Sequence, residues 1–182
     1  FYSRFPGVRL ELTTGSSTSL QQMTVNRTLD LFVGLVPDKN SDIMTIPLSQ
    51  DRIYFVIADS LLQKYCGGDL MATRERLRHG VDLREFCDMP FMVAKSSSVM
   101  RKIVDTIFAD IGVRPNILFE TENQLMSTEL CQNGIAATFC PQNILKQLCN
   151  PLYFQFGGSL NLFPLADPRA FYVTVLGYRR DQ

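Results

Sequence analysis

The chain has 182 residues, 46% hydrophobic and 20% charged, which suits one large globular domain or two small lobes. Eighteen Lys+Arg balance eighteen Asp+Glu, so the basic excess of a nucleic-acid-binding surface is missing. The longest apolar runs, such as IYFVIA at 53–58, are too short to cross a bilayer and no basic-then-apolar leader is visible, so a cytoplasmic protein without membrane contact is expected.

FYSRFPGV opens the chain without an initiator Met and reads as the tail of a helix running into Pro6-Gly7, so a preceding segment is expected. VRLELTT (8–14) alternates at period two, the pattern of a strand. A helix over about 19–28 follows, with Thr18-x-x-Gln21 and Ser19-x-x-Gln22 both fitting the capping box. LDLFVGLV (29–36) is nearly continuous, as in a strand buried on both faces, and Pro37-Asp38 ends it. IMTIPLS (43–49) and RIYFVIA (52–58) predict a strand pair or a bend around Gln50-Asp51.

From Asp59 two short helical stretches bracket Cys66-Gly67-Gly68, and ATRERLRHG reads as a solvated helix face ending at Gly80. Asp82 is a candidate cap for VDLREF. PFMVAK (90–95) predicts a strand, and SSSVMRKIVDTIFADIG an amphipathic helix with Val99, Ile103, Ile107 and Ile111 on one side. The pattern repeats: strand NILFET, a helix capped by Thr121-x-x-Gln124, strand IAATFC, and a short helix opened by Pro141. LNLFPL and FYVTVLGY close the chain as strands. The alternation predicts an α/β, two-lobed architecture without a long linker.

Three strand-to-helix junctions carry polar groups: GSSTS (15–19), AKSSS (94–98) and ETENQ (120–124). With parallel strands, their C-terminal ends share one edge, where open α/β sheets bind ligands. Helix N-termini and hydroxyls favour a small anion, held by Ser16, Ser17, Lys95 and Ser97, with Lys95 as the only fixed cation among them. Hydroxyls also cap helices, so the same residues have a purely structural reading.

Catalytic and cofactor signals are weak. His79, the single histidine, lies in a charged run, which leaves no nucleophile with a credible base. No glycine pattern matches a dinucleotide or Walker loop, and no cofactor is expected. Cys66, Cys87, Cys131, Cys140 and Cys149 are odd in number and form no CxxC, so buried reduced thiols are expected rather than a metal site. The spacing of nine between the last three leaves a redox pair as the other reading.

In order along the chain stand FYSRFPGVRLELTTGSS, DLFVGLVP, IPLSQDRIYFVIAD, VDLREFCDMPFMVAKSSSVMR, ADIGVRPNILFETEN, QNGIAATFCPQNIL and FPLADPRAFYVTVLGYRR. Together they resemble the effector-binding domain of bacterial LysR-type transcriptional regulators. The resemblance implies a type 2 periplasmic-binding-protein-like fold: two Rossmann-like lobes, 1–58 with 165–182 and 59–164, joined by two crossing strands. The crossings would fall near Ile57-Ala58 and Pro164-Leu165, with a small-molecule effector in the cleft between the lobes.

It places effector contacts at Gly15, Ser16, Ser17 and Thr18, and at Gly34, Leu35 and Val36. The second lobe would add Lys95, Ser96, Ser97 and Ser98, then Thr121, Glu122 and Asn123, and finally Phe139 and Cys140. DNA contact would belong to an N-terminal winged helix-turn-helix absent from this sequence. Helices around 19–28 and 98–110 would pair copies into a homodimer or higher homo-oligomer.

Three features depart from the family pattern, one being that the sequence stops at YRRDQ, short of a C-terminal helix many members carry. The stretch 61–80 is longer than its usual link, and SSS stands where the peroxide-sensing branch keeps reactive cysteines. A solute-binding receptor of a transport system is the alternative on the same fold. A dehydratase-type enzyme using Glu122 and Thr121 is a third reading.

Overall fold

The structure is a computed structural model that describes residues 3–35, 42–148 and 160–181. Val36, Cys149 and the glycine pair 157–158 lie outside the described residues. Helix α1 (Ser17–Val25) leads to β1 (Leu31–Leu35) and the long strand β2 (Ile43–Ala58). Helices α2 (Asp59–Cys66) and α3 (Leu70–Leu77) follow, then a 3-10 turn at Leu83–Phe86. Next come β3 (Pro90–Val93), α4 (Val99–Asp110), β4 (Asn116–Glu120), α5 (Gln124–Gln132) and β5 (Ala137–Pro141). Helix α6 (Gln142–Leu148), β6 (Leu160–Pro164) and β7 (Phe171–Arg179) complete the described chain.

The strands form one open sheet in the order β1-β7-β2-β5-β3-β4, with β6 also paired to β2. Strand β2 organises it. Residues Ile43 to Arg52 pair with β7, and Ile53 to Ala58 pair with β5 and β6, so the partner changes at Arg52–Ile53. The chain returns between the two portions from Pro164 to Phe171. The mixed α/β class expected from the alternation of elements is the one observed.

Four local expectations are corrected. First, 43–58 is one continuous strand rather than a pair, because a register shift between Pro47 and Ser49 absorbs the irregularity. Buried Asp51 does not break it: Ser49 Oγ donates to its carboxylate at 2.7 Å. Second, residues 8–14 form no strand, since alternation supplies a face but no hydrogen-bonding partner, and Leu12 stays 91% exposed. Third, only β3 runs parallel to its neighbours β4 and β5; all pairings of β1, β2 and β7 are antiparallel. Fourth, β1 is half-buried, with Phe32 inward and Leu31 and Val33 outward, as an edge strand with one covered face requires.

Helix ends follow the capping chemistry with different residues. Ser16 caps α1 and accepts from the Ser19 N–H at 3.2 Å, in place of the Thr18 and Ser19 boxes. Asn123 caps α5 by accepting from the Met126 N–H, while Thr121 Oγ accepts from the Asn123 N–H. Asp82 caps the 3-10 turn as expected.

The main core gathers under β2, β3 and β5. Phe91 and Phe139 stack with centroids 5.7 Å apart, and Phe108 of α4 meets Phe91 edge-on at 5.3 Å. The buried stripe of α4 is Met100, Val104, Ile107 and Phe108; of the expected stripe, Ile107 is fully buried and Ile103 and Ile111 pack at its margin. A smaller core joins Leu20 of α1 to Phe32, Ile43 and Val175. The opposite face of that sheet is apolar and open. Leu31 and Met44 flank Tyr178, and Val33 and Ile46 flank Leu176, with Val33 54% and Ile46 47% exposed.

Candidate functional site

A cleft of about 430 Å³ opens where α1, α4 and α5 begin, within the range of small-molecule sites. Its first wall is built from the turn into α1. Gly15, Ser16, Ser17 and Thr18 line it, together with Leu35 at the end of β1. Ser17 ties these elements together, because its hydroxyl accepts from the Leu35 N–H at 3.0 Å. Gly34 does not line the cleft but permits that contact: a Cβ there would lie 2.9 Å from Ser17 Oγ.

The facing wall comes from the loop after β3 and the turn after β4. Ser97, Ser98, Thr121 and Glu122 line the cleft. Ser98 is the N-cap of α4, yet its side chain makes no bond to the first turn, so the hydroxyl stays available. The two strand ends are fixed from behind by Arg101. Its guanidinium donates to the Ala94 carbonyl and the Glu120 carboxylate, both at 2.8 Å, and to Asp105 at 2.7 Å. Burial disfavours this charge, but the hydrogen bonds to Glu120 and Asp105 outweigh it and raise the guanidinium pKa.

Several expected residues stand elsewhere. Lys95 and Ser96 lie outside the lining, and the Lys95 ammonium sits 3.8 Å from the Glu122 carboxylate at the exposed rim. Asn123 is engaged in capping α5. Phe139 and Cys140 are buried on opposite faces of β5, Phe139 in the main core and Cys140 in a second cluster. Phe139 contributes its carbonyl, which accepts from Gln124 Nε2 at 3.0 Å.

Gln124 and Ala94 line the cleft within the ETENQ and AKSSS junctions but were not singled out, and an apolar lining of Val99, Met100, Pro141 and Ile144 was missed. Gln124, Val99 and Met100 directly follow two helix caps, a signal that could have identified them. The closeness of Pro141 and Ile144 depends on tertiary packing alone.

Electrostatically the cleft has an unusual balance. Among the described residues no Lys, Arg or His lines it. Positive potential comes from the first turns of α1, α4 and α5, none of which carries an acidic residue. Other features offer less chemistry. A hollow of about 550 Å³ between residues 9–13 and 28–33 separates the unpaired segment from the open edge of β1. His79 is exposed and accepts from Arg78 Nε. Burial pushes the Cys131 thiol up to about 12, which removes its thiolate chemistry near neutrality. Among the described residues no group of His, Cys, Asp or Glu could hold a metal ion, and no helix is long and apolar enough to span a membrane.

Two α/β portions sharing a long strand, with helix N-termini around a cleft, define a small-molecule-binding domain of the periplasmic-binding-protein-like type. The chain belongs to the LysR substrate binding domain family, whose model matches residues 1–182. The effector binding domain of QuiR in complex with shikimate is similar at a TM-score of 0.70 and 18% identity, over 92% of this chain and 70% of that one. The BenM effector binding domain with its effector benzoate is similar at 0.72 and 21%, over 98% and 73%. An uncharacterized HTH-type transcriptional regulator of Bacillus subtilis strain 168, YcgK, is 24% identical over 80% of this chain and 47% of the relative. The chain thus spans about half the length of the curated relatives it matches.

Proposed function

We propose that this domain senses a small acidic metabolite in the cleft and thereby adjusts the DNA binding of a LysR-type transcriptional regulator. One observation carries the reading: three helix N-termini, free of acidic first-turn residues, converge on a cleft rimmed by Ser and Thr hydroxyls. Unpaired N–H groups and partial positive charge favour a carboxylate without a fixed cation. Similar domains carry shikimate and benzoate, both carboxylates.

Residues 1–58 with 165–182 form one lobe in this reading and 59–164 the other. Ser16, Ser17, Thr18, Ser98 and Thr121 would contact the effector, and Lys95 would contribute from the rim. The effector acts through its different affinities for two arrangements of lobes or subunits, which requires no chemistry at the site. DNA contact belongs to a helix-turn-helix part, in keeping with the neutral charge of this domain, and the cytoplasm is the compartment where that contact occurs. Self-association through α1 and α4 completes the scheme. A regulatory role, not turnover, is the one that membership of a regulator family supports.

Thermal melting of the chain against a panel of small carboxylates and phosphates tests the reading. A ligand at a hundredfold excess over its Kd adds about 2.7 kcal/mol of apparent stability. Ser98→Ala should weaken binding of any hit by about 0.5–1.5 kcal/mol without lowering the ligand-free melting point, since that hydroxyl caps nothing. Absence of stabilisation by every acid, at concentrations up to 10 mM or so, would sink it.

A further inference from the structure

Resting on that reading, we infer that the effector is a hydroxylated carboxylate rather than a plain aromatic or aliphatic acid. The cleft is polarised. One part is formed by the starts of α1 and α4, where Ser17, Thr18, Val99 and Met100 present backbone and hydroxyl donors with no charged side chain between them. The other part is formed by the start of α5, where Glu122 stands one residue before the Asn123 cap and lines the cleft. Among the described residues it is the one formally charged lining side chain.

A carboxylate is drawn to the first part and repelled from the second. An ionised Glu122 accepts hydrogen bonds and donates none, so the group facing it must be a donor. Glu122 is exposed at the rim, so a plain acid setting its apolar end there gains no hydrogen bond from this carboxylate, whereas a ligand donor does. An ammonium on the ligand would be brought beside Lys95, already 3.8 Å from Glu122. A neutral hydroxyl donates to Glu122 without displacing Lys95. The remaining lining, Leu35, Val99, Met100, Pro141 and Ile144, accommodates the carbon skeleton between the two ends.

Matched pairs of acids that differ only in hydroxyl groups test this: shikimate against cyclohexene-1-carboxylate, 3-hydroxybenzoate against benzoate, and malate against succinate. Calorimetric titration of the 182-residue chain should show at least one hydroxylated member binding at least tenfold tighter than its partner. Glu122→Ala should abolish that preference, read as the ratio of the affinities for the two members of a pair. Its melting point serves as the folding control, which the exposed side chain should leave unmoved.

Equal or tighter binding of the unhydroxylated acids, or a preference that survives Glu122→Ala, overturns the inference while the acid-sensing reading stands. No binding of any of the six removes the inference, and the failure extends to that reading if the wider panel is also silent.

Discussion

Arg101 shows how one side chain can hold a site it does not enter. Its side chain is 9% exposed, and it joins the end of β3 to the end of β4 from the first turn of α4. Arg101→Leu leaves the Ala94 carbonyl and Glu120 without their donor. Removing one partner of a buried ion pair costs about 3–5 kcal/mol. Glu120 is half exposed and can be resolvated, so a loss of about 1–3 kcal/mol is expected in urea unfolding. A midpoint equal to the parent's would show that the staple contributes nothing. Nothing in SSSVMRK signals this role, because it reads as a polar loop running into an amphipathic helix. That helices begin near the GSSTS and AKSSS junctions was legible, because capping is local chemistry, but the capping residue of α1 is Ser16 rather than Thr18 or Ser19. The misplacement of Phe139 and Cys140 has a geometric origin: strand alternation sends adjacent side chains to opposite faces, and both faces of β5 are covered.

Helices α4 and α5 and strands β3 to β7 could be read from periodicity and punctuation, since each is bounded by Gly, Pro or a cap. Pairing direction could not, because an antiparallel and a parallel edge strand share the same alternation. Nor could the lack of a partner for residues 8–14. Packing between β7 and β1 supplies a sharper test at this scale. Gly177 lies opposite Phe32, and a Cβ at Gly177 would overlap the Phe32 ring. The ring has no open direction of retreat, as it is buried with Leu20, Ile43 and Val175. Gly177→Ala should therefore lower stability by about 1–3 kcal/mol, the usual cost of overpacking. Gly112→Ala meets no atom within 4 Å, so its cost should be limited to backbone strain at a positive φ of 71°. Thermal melting of the two variants side by side separates steric from conformational effects. Equal losses would disprove the clash.

For the whole molecule, the decisive feature is that both portions of the sheet are built on the same strand. The main core and the α1 core are separate clusters, yet β2 contributes Ile53, Phe55 and Ile57 to one and Ile43 to the other. Neither portion can lose β2 and keep its ladder. Denaturant unfolding is expected to be one transition, with the same midpoint by far-ultraviolet circular dichroism and by tyrosine fluorescence. Two separated midpoints would mean that the portions are energetically independent. The continuity that couples the two portions was hidden by Gln50-Asp51, which looks like a turn and instead stands mid-strand, with Gln50 exposed and Asp51 buried.

Mechanically, β2 is a shaft. Sixteen residues at about 3.3 Å each give it a length of roughly 50 Å, with each half gripped by different strands. A shaft clamped in this way resists sliding, because every register is fixed by a ladder, and yields most easily to torsion about its own axis. This geometry predicts that any closure of the cleft is a rotation rather than a translation, about an axis along 43–58 with its pivot at Arg52–Ile53, where the pairing partner changes. Points far from that axis travel furthest, so a small twist at the cleft becomes a large displacement at the molecule's outer surfaces.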